Sequence, residues 1–373
     1  MRVLITGAKG FIGKNLIVTL DVIGGVEILQ YDIDTDLSIL NEYTKICDFV
    51  FHLAGVNRPD NPEEFMKGNF GFTATLLKDL KSHGNNCPVL ITSSVQAVLN
   101  NPYSQSKKAV EELAFSYGRE TCAKMLVYRL PNVFGKWCRP NYNSAVATFC
   151  NNIARDLPIT VNDPDAVITL AYIDDVVEEL LKAMNGKETR DGDFCIVPLV
   201  YPVKISNIVD LIYSFRASRQ ELTVPDMSNA FVGKLYSAYL SYLPEGRFSY
   251  PLKMSTDSRG SFTEFIRTPD RGQVSVNILK PGITKGNHWH HTKNEKFLVV
   301  SGKGIIRFRK VGSDKVIEYH VSGDRLEVVD IPAGYIHNIE NLCDTDMVTM
   351  IWANECFCPE RLDTYYLEVS HDR

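Results

Sequence analysis

The stretch VLITGAKGFIGK, residues 3–14, carries three apolar residues into a threonine and then places glycine at 7, 10 and 13. An apolar run bounded by glycine reads as a buried strand, and KNLIVTLDVIG beyond it has the spacing of an amphipathic helix. The same alternation repeats along about the next hundred residues. EILQYD and DFVFHLAG read as strands, EEFMKGNFGFTATLLKDLKSHG as one long helix, and PVLITSS as a strand. PYSQSKKAVEELAFSYGRE reads as a helix, and KMLVYRLPNVFG as a strand running into a loop. This predicts βαβ units, hence a Rossmann-type, doubly wound α/β domain with helices on both faces of a parallel sheet. After about residue 250 the helical period stops. QVSVNILKPG, EKFLVVSGKGIIRFRK, VIEYHVSG, RLEVVDIPAG and DMVTMIWANE are short strands separated by glycine-containing turns, which predicts an antiparallel all-β barrel or sandwich. The segment SYLPEGRFSYP, residues 241–251, carries the Pro and Gly of a linker. One domain is therefore expected over residues 1–245 and another over 250–373.

A length of 373 residues suits two domains, and 45% apolar content suits packed cores. The formal net charge of −5 comes with no long run of one sign, so neither nucleic acid nor a membrane surface is an expected partner. No apolar run approaches the roughly 20 residues of a membrane span. MRVLITGAKG begins directly in a strand pattern, without the basic and apolar leader of a secreted chain. The nine cysteines are scattered and form no C-x-x-C pair, Cys356 and Cys358 being one residue too close. These features predict a cytoplasmic protein with reduced thiols.

Glycine lets the loop after the first strand turn tightly and approach a pyrophosphate, whose charge a helix N-terminus favours. The spacing is G-x-x-G-x-x-G rather than G-x-G-x-x-G, so the loop points to a nucleotide only in combination with Ser94, Tyr103 and Lys107. Tyr103 and Lys107 stand four apart on a helix and share a face, and Ser94 closes the strand PVLITSS. A phenol with its ordinary pKa of about 10 is a weak acid at neutral pH. A nearby ammonium brings that value down, and a serine hydroxyl holds a carbonyl oxygen in place. With HLAG (52–55), Asn69, RLPNVFG (129–135) and YIDDV (172–176), roughly residues 1–240 resemble the extended short-chain dehydrogenase/reductases that act on nucleotide sugars. The resemblance implies a nicotinamide cofactor at Gly7, Gly10, Phe11, Ile12, Gly13, Asp32, Leu53, Ala54 and Lys107. It implies Tyr103 as proton donor, Lys107 on the nicotinamide ribose, Ser94 beside the carbonyl, and a sugar nucleotide near Asn132 and Arg139. Asp32 ends the second strand, where a carboxylate accepts a ribose 2′-hydroxyl and repels a 2′-phosphate. That favours NAD(H), against the NADP(H) implied by the closest family resemblance.

GITKGNHWHHTKNEKFLVVSG, residues 282–302, holds three of the chain's eight histidines within four positions. Alternation points His288 and His290 to one side of a strand, and a short turn through 291–294 brings Glu295 back on the next. His291 faces outward if the strand stays regular; which ring joins His290 is open by one position. PAGYIHNIEN, residues 332–341, adds His337. Three imidazoles and a carboxylate form a ligand set for Zn, Fe, Mn or Ni. The spacings G-x5-H-x-H-x4-E-x6-G and P-x-G-x2-H-x3-N resemble the two motifs of the cupin double-stranded β-helix, with Gly323 standing farther before Pro332 than usual.

A sugar ketone has acidic hydrogens on its α-carbons, and a cation at the ketone oxygen stabilises the charge left when one is removed. Reprotonation from the other face is epimerisation. A barrel that inverts a carbon beside a carbonyl, and a reductase that then reduces that carbonyl, would share one substrate. FGKWCRPNYNSAVATFC (134–150), LYSAYLSYLPEGRFSYPL (235–252), the run from Arg259 to Gly304 and LEVVDIPAGYIHNIENL (326–342) extend the likeness to the whole chain. It resembles the bifunctional capsular-polysaccharide enzymes of the UDP-N-acetyl-L-fucosamine pathway. That resemblance implies Zn2+ in the barrel and C3 epimerisation there of a UDP-2-acetamido-2,6-dideoxy-4-hexulose. It implies NADPH-dependent C4 reduction to UDP-2-acetamido-2,6-dideoxy-β-L-talose, and a homodimer or higher homo-oligomer. Lys293, Lys296, His291 and Tyr335 flank the ligand set as candidate bases, Lys296 alternating away from Glu295. One alternative is a monofunctional nucleotide-sugar reductase whose barrel only binds sugar or dimerises; another is an iron oxygenase barrel.

Overall fold

The computed structural model of the chain describes residues 1–252, 255–257, 260–262, 266, 272–355 and 362–370. Cys356, Cys358 and most of 259–271 lie outside the described residues. The opening strand–glycine–helix unit forms as expected, β1 (Arg2–Thr6) leading into α1 (Phe11–Ile23). β2 (Glu27–Tyr31), α2 (Leu37–Ile46) and β3 (Phe49–His52) come next. α3 (Glu63–Phe65) passes through a π-helical turn, Met66–Gly71, into α4 (Phe72–Ser82). β4 (Val89–Ser94) runs through a 3-10 turn, Val95–Val98, to α5 (Pro102–Thr121) and β5 (Met125–Leu130). Then come β6 (Asn132–Phe134), α6 (Ala145–Ile153), β7 (Val167–Tyr172) and α7 (Ile173–Met184). β8 (Arg190–Asp191), β9 (Phe194–Cys195), β10 (Tyr201–Lys204), α8 (Ile205–Glu221) and α9 (Ala230–Ser241) complete this part.

The main sheet has the order β2-β1-β3-β4-β5-β9-β8. Every pairing from β2 to β9 is parallel; only β8 runs antiparallel, on β9. The chain steps from β1 to β2 on one side and crosses to β3 on the other. The order therefore reverses beside β1, where an open α/β sheet leaves a crevice for a ligand. Leu4, Val50, Val89 and Val127 are fully buried under Leu40, Leu76 and Leu80, so the sheet reads as continuous apolar runs. Two expectations are refined. The long helix over 63–84 contains a π turn, where Gly68 lies against Val56; a Cβ on it would come within 2.3 Å of the valine Cγ2. The strand expected over 124–135 is two strands. Pro131 has no N–H for the ladder, and β6 pairs instead with β7 in a separate sheet, β10-β7-β6.

By their contacts, the residues fall into two compact units: Met1–Phe134, Asn141–Ser144 and Val167–Val203 make the first, and Gly135–Pro140, Ala145–Ala166 and Lys204–Arg373 the second. This division does not follow the stretch 241–251, because α6, α8 and α9 group with the C-terminal strands. Phe231, Leu235, Tyr236, Tyr239 and Leu240 bury most of α9, and Asn294 Nδ2 donates to Ser237 Oγ at 2.8 Å.

The second unit continues with β11 (Ser249–Pro251), β12 (Ser255–Asp257), β13 (Gly260–Phe262), β14 (Gln273–Leu279), β15 (Thr284–Trp289) and β16 (Glu295–Ser301). β17 (Lys303–Lys310), β18 (Val316–Ser322), β19 (Glu327–Ile331), β20 (Tyr335–Asn341), β21 (Met347–Ala353) and β22 (Tyr365–Tyr366) close it. Ten of them form two five-stranded antiparallel sheets, β11-β19-β16-β21-β14 and β18-β17-β20-β15-β22, and β12 and β13 pair with each other; this is the all-β cupin-like architecture expected from the strand pattern. A bulge interrupts the pairing of β15 with β20: Gly286 faces Asn338 and His288 faces His337, leaving Asn287 extra with φ +54°. Gly286 has φ +112°, and a Cβ there would lie 2.8 Å from Asn338 Cα and His337 O. Among the described residues no helix is long and apolar enough to cross a membrane.

Candidate functional site

In the first unit the glycine loop is built by close approach. Gly7 has φ +70°, and a Cβ on it would sit 2.7 Å from Ala54 N; one on Gly13 would sit 2.2 Å from Gly7 O. The Leu53–Ala54 turn is tied to the same strand end, Leu53 N donating to Thr6 O at 3.1 Å. α1 starts on Gly10 with neither a capping side chain nor an acidic residue in its first turn. The amides around Phe11, Ile12 and Gly13 and the positive helix end are thus left for an anion. Asp32 stands just beyond the end of β2, as the sequence places it. Its carboxylate accepts from Lys9 N at 2.6 Å and Ile33 N at 2.8 Å, while the Lys9 ammonium pairs with Asp34. The acid is engaged by the loop itself.

Asn101 caps α5, accepting from Ser104 N at 2.9 Å, and Pro102 fixes its first turn, which sets Tyr103 and Lys107 on one face. Ser94 caps the preceding 3-10 turn through Gln96 N at 3.1 Å, and its side chain favours the ionised form of the Tyr103 phenol. Burial pushes the phenol above its ordinary 10, with Ser94 opposing. Lys107 Nζ lies 5.9 Å from the Tyr103 ring centroid and donates to Thr92 O at 3.1 Å. In this arrangement the ammonium donates to a backbone carbonyl. Burial pushes Lys107 down to about 8, against the attraction of Glu111. Asn69, turned inward by the π turn, accepts from Val56 N at 2.8 Å and donates to Ser106 Oγ at 2.9 Å. Glu111 stands in no motif of the sequence. It accepts from Ser93 Oγ at 2.7 Å and takes a two-pronged bond from Arg129, locking α5 to β4 and β5. Asn132 is exposed on β6, its amide 3.4 Å from Thr169 O; Arg139 is exposed in the 135–140 segment, which groups with the second unit.

In the second unit His288, His290, Glu295 and His337 converge: one ligand atom from each lies within 4.8 Å of all the others. β15 and its extension bring two of them, β20 the third, and the facing sheet supplies Glu295 at the start of β16. Glu295 Oε2 is 3.4 Å from His290 Nε2 and 3.3 Å from His337 Nε2. All three atoms are buried without a hydrogen-bond partner. Such orphaned polar atoms aimed at one point are costly unless something satisfies them. The 3.4 and 3.3 Å separations of Glu295 Oε2 from the two imidazole nitrogens match ligands that share a cation bonded at roughly 2.0–2.2 Å. Outer contacts also fit. His290 Nδ1 meets Asp363 O in a short hydrogen bond, and His337 Nδ1 lies 3.5 Å from Tyr335 O, so each Nε2 faces inward. Burial pushes the Glu295 carboxyl up, but His290 and His337 outweigh it and leave the group below its usual range. Burial, then the His337 and His290 rings, push His288 down to about 4.

Of the two rings left open by sequence, His288 joins the cluster. His291 packs against Trp289 and Tyr365, with ring centroids 4.5 and 5.1 Å away. Lys296 points to the other face of β16, as alternation predicts. Its Nζ is 2.5 Å from Asp330 Oδ1 and 3.1 Å from Tyr250 Oη. Lys293 is 3.5 Å from Thr364 Oγ1, and Tyr335 is buried against Phe248, which pushes its phenol up to about 12.

Residues 3–196 match the model of the NAD dependent epimerase/dehydratase family, and residues 255–365 that of the polysaccharide biosynthesis C-terminal domain. The chain is 45% identical to a UDP-2-acetamido-2,6-beta-L-arabino-hexul-4-ose reductase of Pseudomonas aeruginosa, over 99% of each chain. It is similar to the capsular polysaccharide assembling protein CapF of Staphylococcus aureus, with 55% identity, a TM-score of 0.70, and coverage of 99% of this chain and 100% of that one. A UDP-glucuronic acid 4-epimerase of Bacillus cereus with NAD bound shares the fold alone, at 19% identity, TM-score 0.52, over 58% of this chain and 84% of that one.

Proposed function

This chain belongs to the NAD dependent epimerase/dehydratase family, as a nucleotide-sugar enzyme of reductase/epimerase type, and we propose that it is bifunctional. Residues 250–373 epimerise C3 of a UDP-2-acetamido-2,6-dideoxy-4-hexulose, and residues 1–245 reduce its C4 ketone with NADPH to UDP-2-acetamido-2,6-dideoxy-β-L-talose. The Pseudomonas relative, named a hexul-4-ose reductase, supports the second step. NADPH supplies hydride. Tyr103 gives its proton to the C4 oxygen, Ser94 holds that oxygen, and Lys107 binds the cofactor ribose. Asn132 and Arg139 bind the sugar nucleotide. In the barrel His288, His290, Glu295 and His337 would hold Zn2+, which supplies a Lewis acid at the C4 carbonyl and so acidifies C3–H. We take the enzyme to act as a cytoplasmic homo-oligomer.

The observation that carries this reading is the convergence of four donor atoms, three of them buried and unpartnered, in a domain joined to a reductase. It is tested by incubating the 4-keto sugar with the protein in D2O, without NADPH, and reading deuterium at C3 by mass spectrometry. Exchange is expected with the intact protein and lost on chelation or in the His290→Ala/His337→Ala double variant. Exchange that persists in the double variant refutes the metal role and leaves a reductase with a binding barrel.

A further inference from the structure

The C-terminal residues 363–369 lie along the metal site as a strap. Tyr365 and Tyr366 pair with Trp289 and His288, and Leu367 N donates to Asn287 O at 2.9 Å. Arg309 holds the far end, donating to Val369 O at 2.8 Å and Glu368 O at 2.6 Å. At the near end Asp363 does two things. Its carboxylate accepts from His291 N at 2.8 Å, Thr292 N at 2.8 Å, Thr292 Oγ1 at 2.9 Å and Lys293 N at 2.7 Å. Its carbonyl oxygen accepts from His290 Nδ1. The turn it gathers is the one linking His290 to Glu295.

We propose that Asp363 is the positioning residue of this metal site, its carboxylate fixing the 291–293 turn while its carbonyl sets the ring of His290 for ligation. The inference rests on the metal reading above. A ligating imidazole must present a bare Nε2, so its Nδ1 must carry the proton and needs an acceptor. For His337 that acceptor is 3.5 Å away; for His290 it is in firm contact, and the carboxylate of the same residue holds it there. The Gly334 N–H, donating to His290 O at 3.0 Å, fixes the same histidine from the β20 side. His290 is thus clamped between the strap and the second motif, and the carboxylate of Asp363 ties the near end of the strap to the 291–293 turn.

The full-length protein, stripped of metal and reloaded, gives the test. Zn2+ affinity is read by competition with a chromophoric chelator and ligand geometry by the visible bands of Co2+. Asp363→Ala is expected to weaken Zn2+ binding by roughly 10- to 100-fold, the usual cost of losing an outer partner, and to shift the Co2+ bands. Asp363→Asn keeps the carbonyl and one accepting oxygen, so a loss of about fivefold is expected, the size of one hydrogen bond. If the alanine variant does not fold, judged by emission from the buried Trp289 and Trp352, the asparagine variant decides. Affinity within twofold of the parent, with unchanged bands, overturns the inference. Failure of the parent protein to bind either ion overturns the metal reading itself, which is a separate result.

Discussion

Lys296→Met separates a structural lysine from a catalytic one. Lys296 is 2% exposed and Asp330 is fully buried, with 2.5 Å between Nζ and Oδ1. Burial disfavours the ammonium, but Asp330 outweighs it and holds the Lys296 pKa above its usual value. Removing one partner of a buried pair costs about 3–5 kcal/mol, because the other charge is stranded. Asp330 keeps Arg219, whose Nε lies 3.4 Å away, so the lower end, about 3 kcal/mol, applies. All three tryptophans, 137, 289 and 352, belong to the second unit, so urea unfolding followed by their fluorescence reads that unit alone. Deuterium exchange per folded molecule should stay within twofold of the parent, since Lys296 faces away from Glu295. Two results refute the reasoning: a single variant within about 1 kcal/mol of the parent, or one that folds normally and has lost exchange. The second would make Lys296 the base.

Three further outcomes are expected. Tyr103→Phe removes the proton donor and should cut NADPH oxidation by about 10²- to 10⁴-fold while C3 exchange continues; loss of both activities would tie Tyr103 to the barrel chemistry. Burial holds Lys107 at about 8 in the folded protein against 10.5 unfolded, a depressed pKa. Its contribution to stability is therefore full above about 10.5 and lost as pH falls through about 8, and single-turnover hydride transfer should fall above pH 8 as the ammonium deprotonates. A rate that stays flat to about two units above that value rules out the charged form as the working one. Gly286→Ala places a Cβ 2.8 Å from His337 O at φ +112°, so it should destabilise the second unit by about 1–3 kcal/mol and weaken Zn2+ binding. Unchanged chelator competition would show that the bulge does not set the ligand spacing.

Much of this was legible in the chain because it depends on local pattern. Val3–Ile5 before Gly7 could only be a buried strand meeting a tight loop, and a Cβ at Gly7 or Gly13 would strike backbone. Two histidines two positions apart share a strand face wherever the strand is regular. The bulge at Asn287 falls just before His288 and leaves the 288–290 alternation intact, which is why the local reading survives it. Other features depend on partners distant in sequence. The hydrogen bond that Lys9 N donates to the Asp32 carboxylate at 2.6 Å, from 23 residues away in sequence, has no local signal. Asp363 contributes a backbone carbonyl, which has no residue signature, from a position 73 residues after His290. The grouping of α8 and α9 with the barrel follows from contacts such as Arg219 with Asp330, pairs that no periodicity reveals.

The proposed chemistry also orders the two sites. A C3 hydrogen is acidic only while C4 is a carbonyl, because the charge left at C3 is delocalised onto the C4 oxygen. Hydride addition at C4 makes an alcohol and ends that acidity, so exchange has to come first. Epimers of a keto sugar differ little in free energy, and an epimerase alone delivers a mixture. The reductase resolves it by discrimination at one geometry: the Tyr103 hydroxyl and the hydride must reach opposite ends of one carbonyl, and a C3 substituent of the wrong hand displaces that carbonyl from Ser94. Misplacement of about 1 Å costs on the order of a hundredfold in rate. Reduction thus draws one epimer out of a pool that the barrel keeps refilling. The barrel therefore has no need to be selective: with exchange faster than hydride transfer, the purity of the product is set by the reductase's discrimination between the two epimers.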